Sequence, residues 1–239
     1  MRTLVLIGAL GLTALACAQD STAVLSRWRI GVSGSFDLAY HSSVLSSTQA
    51  TPTSIFDLED EPKNTYSLGL DLRYDLARHW VLASGLQFTD RGFRIELTDF
   101  VATDTISVDP SIPESVLTTV HFQYISIPLM AHYTFGGNKV HYEPGAGVMT
   151  DFLHSFFSNV TTVYSDERKE TDRFDSRDDI YRSVTLTACV ELNVHLTLAE
   201  RWELRVGPRA RYQILSKSEW DVDDRLWEAG LLFGCFYRL

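Results

Sequence analysis

The chain has 239 residues, 45% hydrophobic and 22% charged, with 31 acidic against 21 basic side chains and a net charge of −10. An acidic balance argues against nucleic acid as a partner, and three cysteines are too few for a disulfide scaffold. Beyond the N-terminus, no stretch reaches the roughly 18 apolar residues of a transmembrane helix, so insertion into a membrane would have to use strands.

The N-terminus reads as a secretory signal peptide over residues 1–18. Met1 and Arg2 form a short positive region, Leu4 to Leu15 an apolar one, and Ala16-Cys17-Ala18 an A-x-A cleavage site before Gln19. Cys17 raises the alternative of a lipid on a new N-terminal cysteine. Ala14, where such sites usually carry leucine, favours cleavage after Ala18. The mature domain is then 19–239.

Period-2 alternation marks strands along the whole mature chain. The first runs from about Trp28 to Tyr40. Thr65–Phe88 is a hairpin: Tyr66, Leu68, Leu70, Leu72, Tyr74 and Leu76 alternate with polar residues, Ala77–His79 turns, and a third strand starts at Trp80 and continues towards Leu97. Asp90–Gly92 is a candidate bulge within it. A fourth strand spans about Val120 to Phe135, where Pro128 requires a bulge or an unpaired N–H. The fifth to eighth cover about Val140–Leu153, Ser183–Leu196, Trp202–Leu215 and Leu226–Leu239.

The connections alternate in length. Ala77–His79, Gly136–Asn138 and Thr197–Glu200 are short turns. The others are long: Ser42–Asn64, Thr98–Thr119, Ser155–Arg182 and Ser216–Asp224. Short turns on one rim and long loops on the other suit an outer-membrane barrel. The expected fold is all-β: an eight-stranded antiparallel up-and-down transmembrane β-barrel with short periplasmic turns and long extracellular loops.

Three features point the greasy face outwards to lipid. Gly69, Gly85, Gly145, Gly147, Gly207, Gly230 and Gly234 fall on the polar face, where a narrow lumen needs small residues beside large ones. The same face carries Asp37, Asp71, Asp75, Glu143, Glu191, Glu203 and Glu228 with Arg29, Arg73, Arg205, Arg209, Arg211 and Arg238, and no lysine. Arginine's planar fork suits enclosed, multiply bonded ion pairs. Trp28, Tyr40, Tyr66, Trp80, Tyr133, Trp202, Trp227 and Tyr237 sit near strand ends, where interfacial girdles belong. Cys189 and Cys235 are read as apolar-face residues on non-adjacent strands, unsuited to a mutual disulfide.

Ser84–Phe93 (SGLQFTDRGF) resembles the "GL-x-aromatic-x-x-x-G" signature of the PorT-like outer-membrane β-barrel proteins of Bacteroidota. Gln123–Phe135 (QYISIPLMAHYTF) is similar to that family's "Y-L-E-I-P-L-L-L-K-Y" strand, with Ser126 where Glu is common. Tyr142–Val148 and Leu204–Ile214 match more loosely. The resemblance implies an outer-membrane barrel of a family mostly without an assigned biochemical role, one member of which serves a protein secretion system.

Candidate chemistry is sparse. His141 and His195 share the polar face with Glu143 and Glu191, and Ser183 or Ser126 would be needed for a hydrolase triad, which geometry and not inventory defines. His132 and His154 are assigned with them to an interior polar network. Acidic clusters at Asp57, Glu59, Asp60 and Glu61, at Asp172, Asp175, Asp178 and Asp179, and at Asp221, Asp223 and Asp224 are of the type hard cations use, but none has EF-hand spacing, and Arg173, Arg177 and Arg182 dilute the second. They read as solvated loops. No catalytic, cofactor-binding or metal residue and no cofactor is expected. The expected function is structural or interactive through the long loops, with a side-chain-filled lumen, and with outer-membrane lipid and other envelope proteins as partners. The alternatives are a narrow passive channel, a component of a secretion machine, a membrane-embedded lipid hydrolase or acyltransferase, and a soluble periplasmic barrel with an apolar core.

Overall fold

The computed structural model describes residues 26–45, 58–98, 113–175, 181–216 and 222–239. The signal peptide, Cys17 and parts of all four long connections lie outside these. Eight long strands dominate: β1 (Trp28–Leu45), β2 (Lys63–Asp75), β3 (Trp80–Thr98), β4 (Pro113–Tyr133), β5 (Val140–Tyr164), β6 (Val184–Thr197), β7 (Trp202–Gln213) and β8 (Val222–Arg238). Each pairs antiparallel with its neighbours in sequence, and β1 pairs with β8 from Arg29↔Arg238 to Leu45↔Val222. The sheet therefore closes on itself, which removes the unpaired edges of its main wall.

The direction of the greasy face is settled by exposure. Phe36, Leu68 and Leu70 are 74, 63 and 64% exposed on the outer surface, whereas Arg73, Glu143, Asp151 and His195 are fully buried inside. A water-soluble barrel would have the opposite arrangement. Aromatic rings gather at both ends of the strands. Trp28–Tyr74, Trp80–Tyr133, Phe135–Tyr142 and Trp202–Tyr237 contact one another near the short turns, and Tyr40–Trp227 and Tyr66–Phe88 do so towards the other rim. From Trp28 to Tyr40, at about 3.3 Å per residue and a tilt of about 40°, the two belts stand roughly 30 Å apart, the scale of a bilayer's hydrocarbon layer.

Several expectations need correction. The long connections are partly strand: β1 continues to Leu45, β4 begins at Pro113, β5 runs to Tyr164, and Lys169–Phe174 folds back on β5. A further short strand, Leu58–Glu61, pairs with β3. These stretches are rich in Thr, Ser and charge and lack apolar alternation, because they lie beyond the aromatic belts, where no hydrocarbon requires an apolar outer face. Cys189 points inwards and is buried beside Ala83, Met130 and Met149, one position out of register with the outward Ala188 and Val190. Lys63 begins β2 and is buried inside, so the lumen does hold a lysine.

Prolines and glycines mark where the ladders yield. The β3–β4 pairing passes from Ser84↔Leu129 directly to Gln87↔Ser126 around Pro128, and β6–β7 skips likewise at Pro208. A missing N–H is thus accommodated by a gap in one ladder. At Gly92 (φ +153°) a Cβ would fall 1.9 Å from the carbonyl oxygen of Val120, so only glycine fits this close approach. Burial runs unbroken from Thr89 to Phe93, so the alternation fails there, but the β3–β4 ladder stays in register through Asp90–Gly92 and the bulge expected there is absent from it.

Candidate functional site: the lumen and its short-turn mouth

Inward side chains of the eight strands meet in the lumen and pair across it. Near the long-loop end, Lys63 Nζ donates to Asp90 Oδ1 (2.6 Å), to the Arg91 carbonyl (3.1 Å) and towards His121 Nδ1 (2.9 Å). Next, Asp151 accepts from Arg91 (2.7 Å), Ser126 (2.6 Å) and Thr187 (2.5 Å), while Glu228 lies 3.3 Å from Arg91 and 2.6 Å from Arg211. Asp37 then takes Arg211 (2.8 Å), Arg209 (3.0 Å) and Ser35 (2.5 Å). Arg205 spans Asp71 (3.0 Å) and Glu191 (3.7 Å), Arg73 pairs with Glu143, and Arg29 with Asp75 and Glu203. Each buried arginine among the described residues faces a carboxylate, which is how buried charge becomes tolerable.

The filling is not wholly polar, contrary to a simple reading of the polar face. Phe236 lies between two guanidiniums, Arg73 at 5.1 Å and Arg205 at 4.9 Å from its ring centroid. The ring spreads cation–π attraction over both and separates like charges. Gly31 and Gly234 make room for it, since a Cβ at either would stand within 2.8 Å of ring carbons. Towards the long-loop rim Phe93, Val120, Phe122, Tyr124 and Leu226 form an apolar cluster, with Ile95, Leu153, Phe156 and Tyr181 against it. One gap in the middle of the lumen, beside Cys189 and Arg209, measures about 20 Å³, room for a single water.

At the short-turn rim the lumen opens into a cavity of about 780 Å³. His141 lines its floor, with His195 and His132 buried beneath. The His141 and His195 rings stack at 4.8 Å. His141 Nε2 lies 2.9 Å and His195 Nδ1 2.6 Å from the same oxygen, Oε1 of Glu203. His195 Nε2 is 3.5 Å and His132 Nδ1 3.3 Å from Oε1 of Glu143. Alternation delivers this grouping: Glu143 follows His141 by two on β5, β6 brings His195 opposite His141, and Glu203 lies inward at the start of β7.

The other sequence candidates separate. Glu191 joins Arg205 and not the histidines. Ser126 gives its hydroxyl to Asp151, and Ser183 is exposed towards the other rim, so neither meets a histidine here. His154 is exposed and no part of the interior network. The β4–β5 register slips between Gln123↔Ser155 and Tyr124↔Leu153, which leaves His154 as the extra residue of a bulge. Of the acidic clusters, Glu61 stands 3.9 Å from Arg94, Asp175 is bonded to Arg173 at 3.0 Å and Asp172 is exposed. Asp57, Asp178, Asp179, Arg177 and Asp221 lie outside the described residues, as do the side chains of Glu59, Asp60, Asp223 and Asp224. Among the charges inside, Arg91, Asp151, Asp90 and Lys63 escaped the sequence reading. Arg91 and Asp90 sit in the broken alternation and Lys63 lies next to Pro62; Asp151 alone was visible, at an inward position of β5.

The family described as outer membrane protein beta-barrel domain matches residues 17–184. No curated protein sequence matches the chain. Among solved structures, Neisserial surface protein A (NspA) is 15% identical with a TM-score of 0.43, covering 91% of this chain and 100% of that one. OprG from Pseudomonas aeruginosa is 15% identical (TM-score 0.42; 92% and 99% covered). Ail, the attachment invasion locus protein of Yersinia pestis, solved with the heparin analogue sucrose octasulfate, is 13% identical (TM-score 0.35; 87% and 99% covered).

Proposed function

Because the chain belongs to the outer membrane protein beta-barrel domain family, and is an integral outer-membrane β-barrel, we propose that it is a closed, non-conducting and non-enzymatic barrel that acts as a structural or interaction protein through its rims. The observation that carries this reading is the filled lumen. Six buried arginines and Lys63 are tied to carboxylates of other strands from one end to the other, and the apolar cluster around Phe122 stands across the long-loop end. An eight-stranded barrel is just wide enough to be filled in this way. With short turns towards the periplasm, the strands that rise highest outside the cell are β3, β4 and β5. The exposed Lys169–Phe174 strand rises beside them, a charged surface suited to contact with envelope partners.

Assignment to the PorT-like branch is a narrower proposal. It is supported by the Tyr124-x-x-Ile127-Pro128 strand, in which Tyr124 and Ser126 are buried inside, Ile127 faces out and Pro128 interrupts a ladder. Planar-bilayer recording tests the closed state: the purified protein gives no stable unitary openings, and reproducible openings would overturn it in favour of a narrow channel. Affinity capture from detergent-solubilised outer membrane tests the interaction role. A reproducible envelope partner is expected, a set of secretion components would assign the chain to such a machine, and a solitary protein would count against interaction.

A further inference from the structure

We propose that the floor of the periplasmic cavity is a binding site for a borderline transition-metal ion such as Zn²⁺, with His141 Nε2, His195 Nδ1 and Glu203 Oε1 as its ligands and the remaining coordination positions open to the cavity. The three atoms already converge. Both imidazole nitrogens lie within 2.9 Å of Glu203 Oε1. Zinc bonds of about 2.0–2.1 Å to nitrogen and oxygen in a tetrahedron set ligand atoms about 3.3 Å apart. The two separations from Glu203 Oε1 must therefore open by about 0.4 and 0.7 Å to admit the ion. His141, Glu143 and His195 offer ligand atoms all within 4.8 Å of one another, a density of donors found at no other place among the described residues.

Three further observations favour an ion over a self-contained network. His195 is fully buried, and its two ring nitrogens face two carboxylates, Nδ1 that of Glu203 at 2.6 Å and Nε2 that of Glu143 at 3.5 Å. An imidazole with a single N–H can donate to only one of them, and an ion on Nδ1 with the N–H on Nε2 serves both. Second, the surroundings match those of a metal-bound histidine. With Nδ1 on the ion, the Nε2–H of His195 faces Glu143, which Arg73 holds, while Arg29 holds the other oxygen of Glu203 at 2.8 Å. Carboxylates placed so orient ligating imidazoles and raise their basicity. Third, the two carboxylates against His195, Glu143 on β5 and Glu203 on β7, come from different strands, so the negative charge around the proposed ion is fixed by the wall.

Access is through the mouth, because His141 lines the cavity and its side chain keeps 14% exposure. Arg27, Arg78 and Arg201 also line that mouth, so the site is not a general cation trap. Selection rests on imidazole coordination, which suits Zn²⁺, Co²⁺ or Ni²⁺ and not the oxygen-seeking Ca²⁺ or Mg²⁺.

The test uses the full chain without an affinity tag, purified in detergent and stripped with a chelator. Zn²⁺ titration by calorimetry should show one equivalent bound, Co²⁺ should give the visible absorption of a low-symmetry site, and Ca²⁺ should give neither. His141→Ala and Glu203→Gln should abolish the Co²⁺ spectrum. Glu143→Gln should weaken Zn²⁺ about 10–100-fold by loosening His195. His79→Ala and His154→Ala should change nothing. Heat-modifiable migration on gels verifies folding, and the partly exposed His141 supplies the decisive variant if changes at buried positions prevent it. Absence of a bound equivalent, binding that survives His141→Ala, or Ca²⁺ bound as tightly as Zn²⁺ would overturn the site while leaving the closed-barrel reading intact.

Discussion

Arg91 offers the sharpest test of the lumen's construction. Its guanidinium serves Asp151 at 2.7 Å and Glu228 at 3.3 Å, and all three side chains are at most 2% exposed. Arg91→Met keeps much of the volume but removes the charge. Asp151 retains the hydroxyls of Ser126 and Thr187, and Glu228 retains Arg211 at 2.6 Å. Breaking a buried pair from one side costs about 3–5 kcal/mol; the remaining donors place Arg91→Met at the lower end, about 3 kcal/mol. With an m-value of about 1.5–3 kcal/mol/M, the urea midpoint falls by roughly 1–2 M. Asp151→Asn alone leaves the arginine underpaired and is also destabilising. In the double variant neither charge is stranded, so the loss should be about 1–2 kcal/mol smaller than the sum of the single losses. Urea unfolding in lipid vesicles, followed by tryptophan fluorescence and gel mobility, measures all three. An Arg91→Met midpoint equal to wild type, or strict additivity in the double variant, would refute the idea that paired charge holds the interior.

Two other outcomes follow from the same packing. A Cβ at Gly85 would stand 2.2 Å from the Leu70 carbonyl oxygen, whereas at Gly137 the nearest atom is 3.6 Å away. Gly85→Ala should therefore lower stability by about 1–3 kcal/mol in the same assay and Gly137→Ala by far less; equal effects would count against the close approach of β2 and β3. Cys189 is buried among Met130, Met149 and Ala83, and Cys235 faces lipid. In vesicles a charged maleimide should label neither until urea is added, while a membrane-permeant reagent reaches Cys235. Rapid labelling of Cys189 by the charged reagent would mean that the lumen is hydrated.

The wall was legible in the sequence wherever its outer face meets hydrocarbon, because lipid demands an apolar residue at every second position. Val32, Phe36, Leu68, Leu70, Val190 and Leu192 declare their strands for that reason. Beyond the aromatic belts the demand lapses, and Thr161, Thr162 and Lys169–Phe174 form strands without any apolar signature. Inside, the period specifies which face a residue takes but not its company. Phe236 among arginines looks like an exception until the two guanidiniums and two glycines around it are seen together. His154 did not belong with the interior even by period, since Glu143, Met149 and Asp151 set the inward parity and turn His154 outward; the bulge there reverses the parity only of the residues after it. The histidine floor was half visible: His141, Glu143 and His195 were noted as sharing a face. Their meeting with Glu203 depends on β5, β6 and β7 lying side by side in one register, which a single sequence does not state.

The pairing of β1 with β8 also bears on how the protein forms. Its contacts join residues from 177 positions apart, at Leu45 and Val222, to 209 apart, at Arg29 and Arg238, the most distant strand pairing among the described residues and hence the slowest to assemble. Until that seam closes, Asp37 on β1 cannot reach Arg209 and Arg211 on β7, nor Arg29 its partner Glu203. An open sheet in lipid would expose those charges and an unpaired edge at once. Closing the wall and neutralising the interior are then one event. Refolding should proceed without a stable half-inserted sheet, and substitutions at Asp37 should slow the final step more than the first.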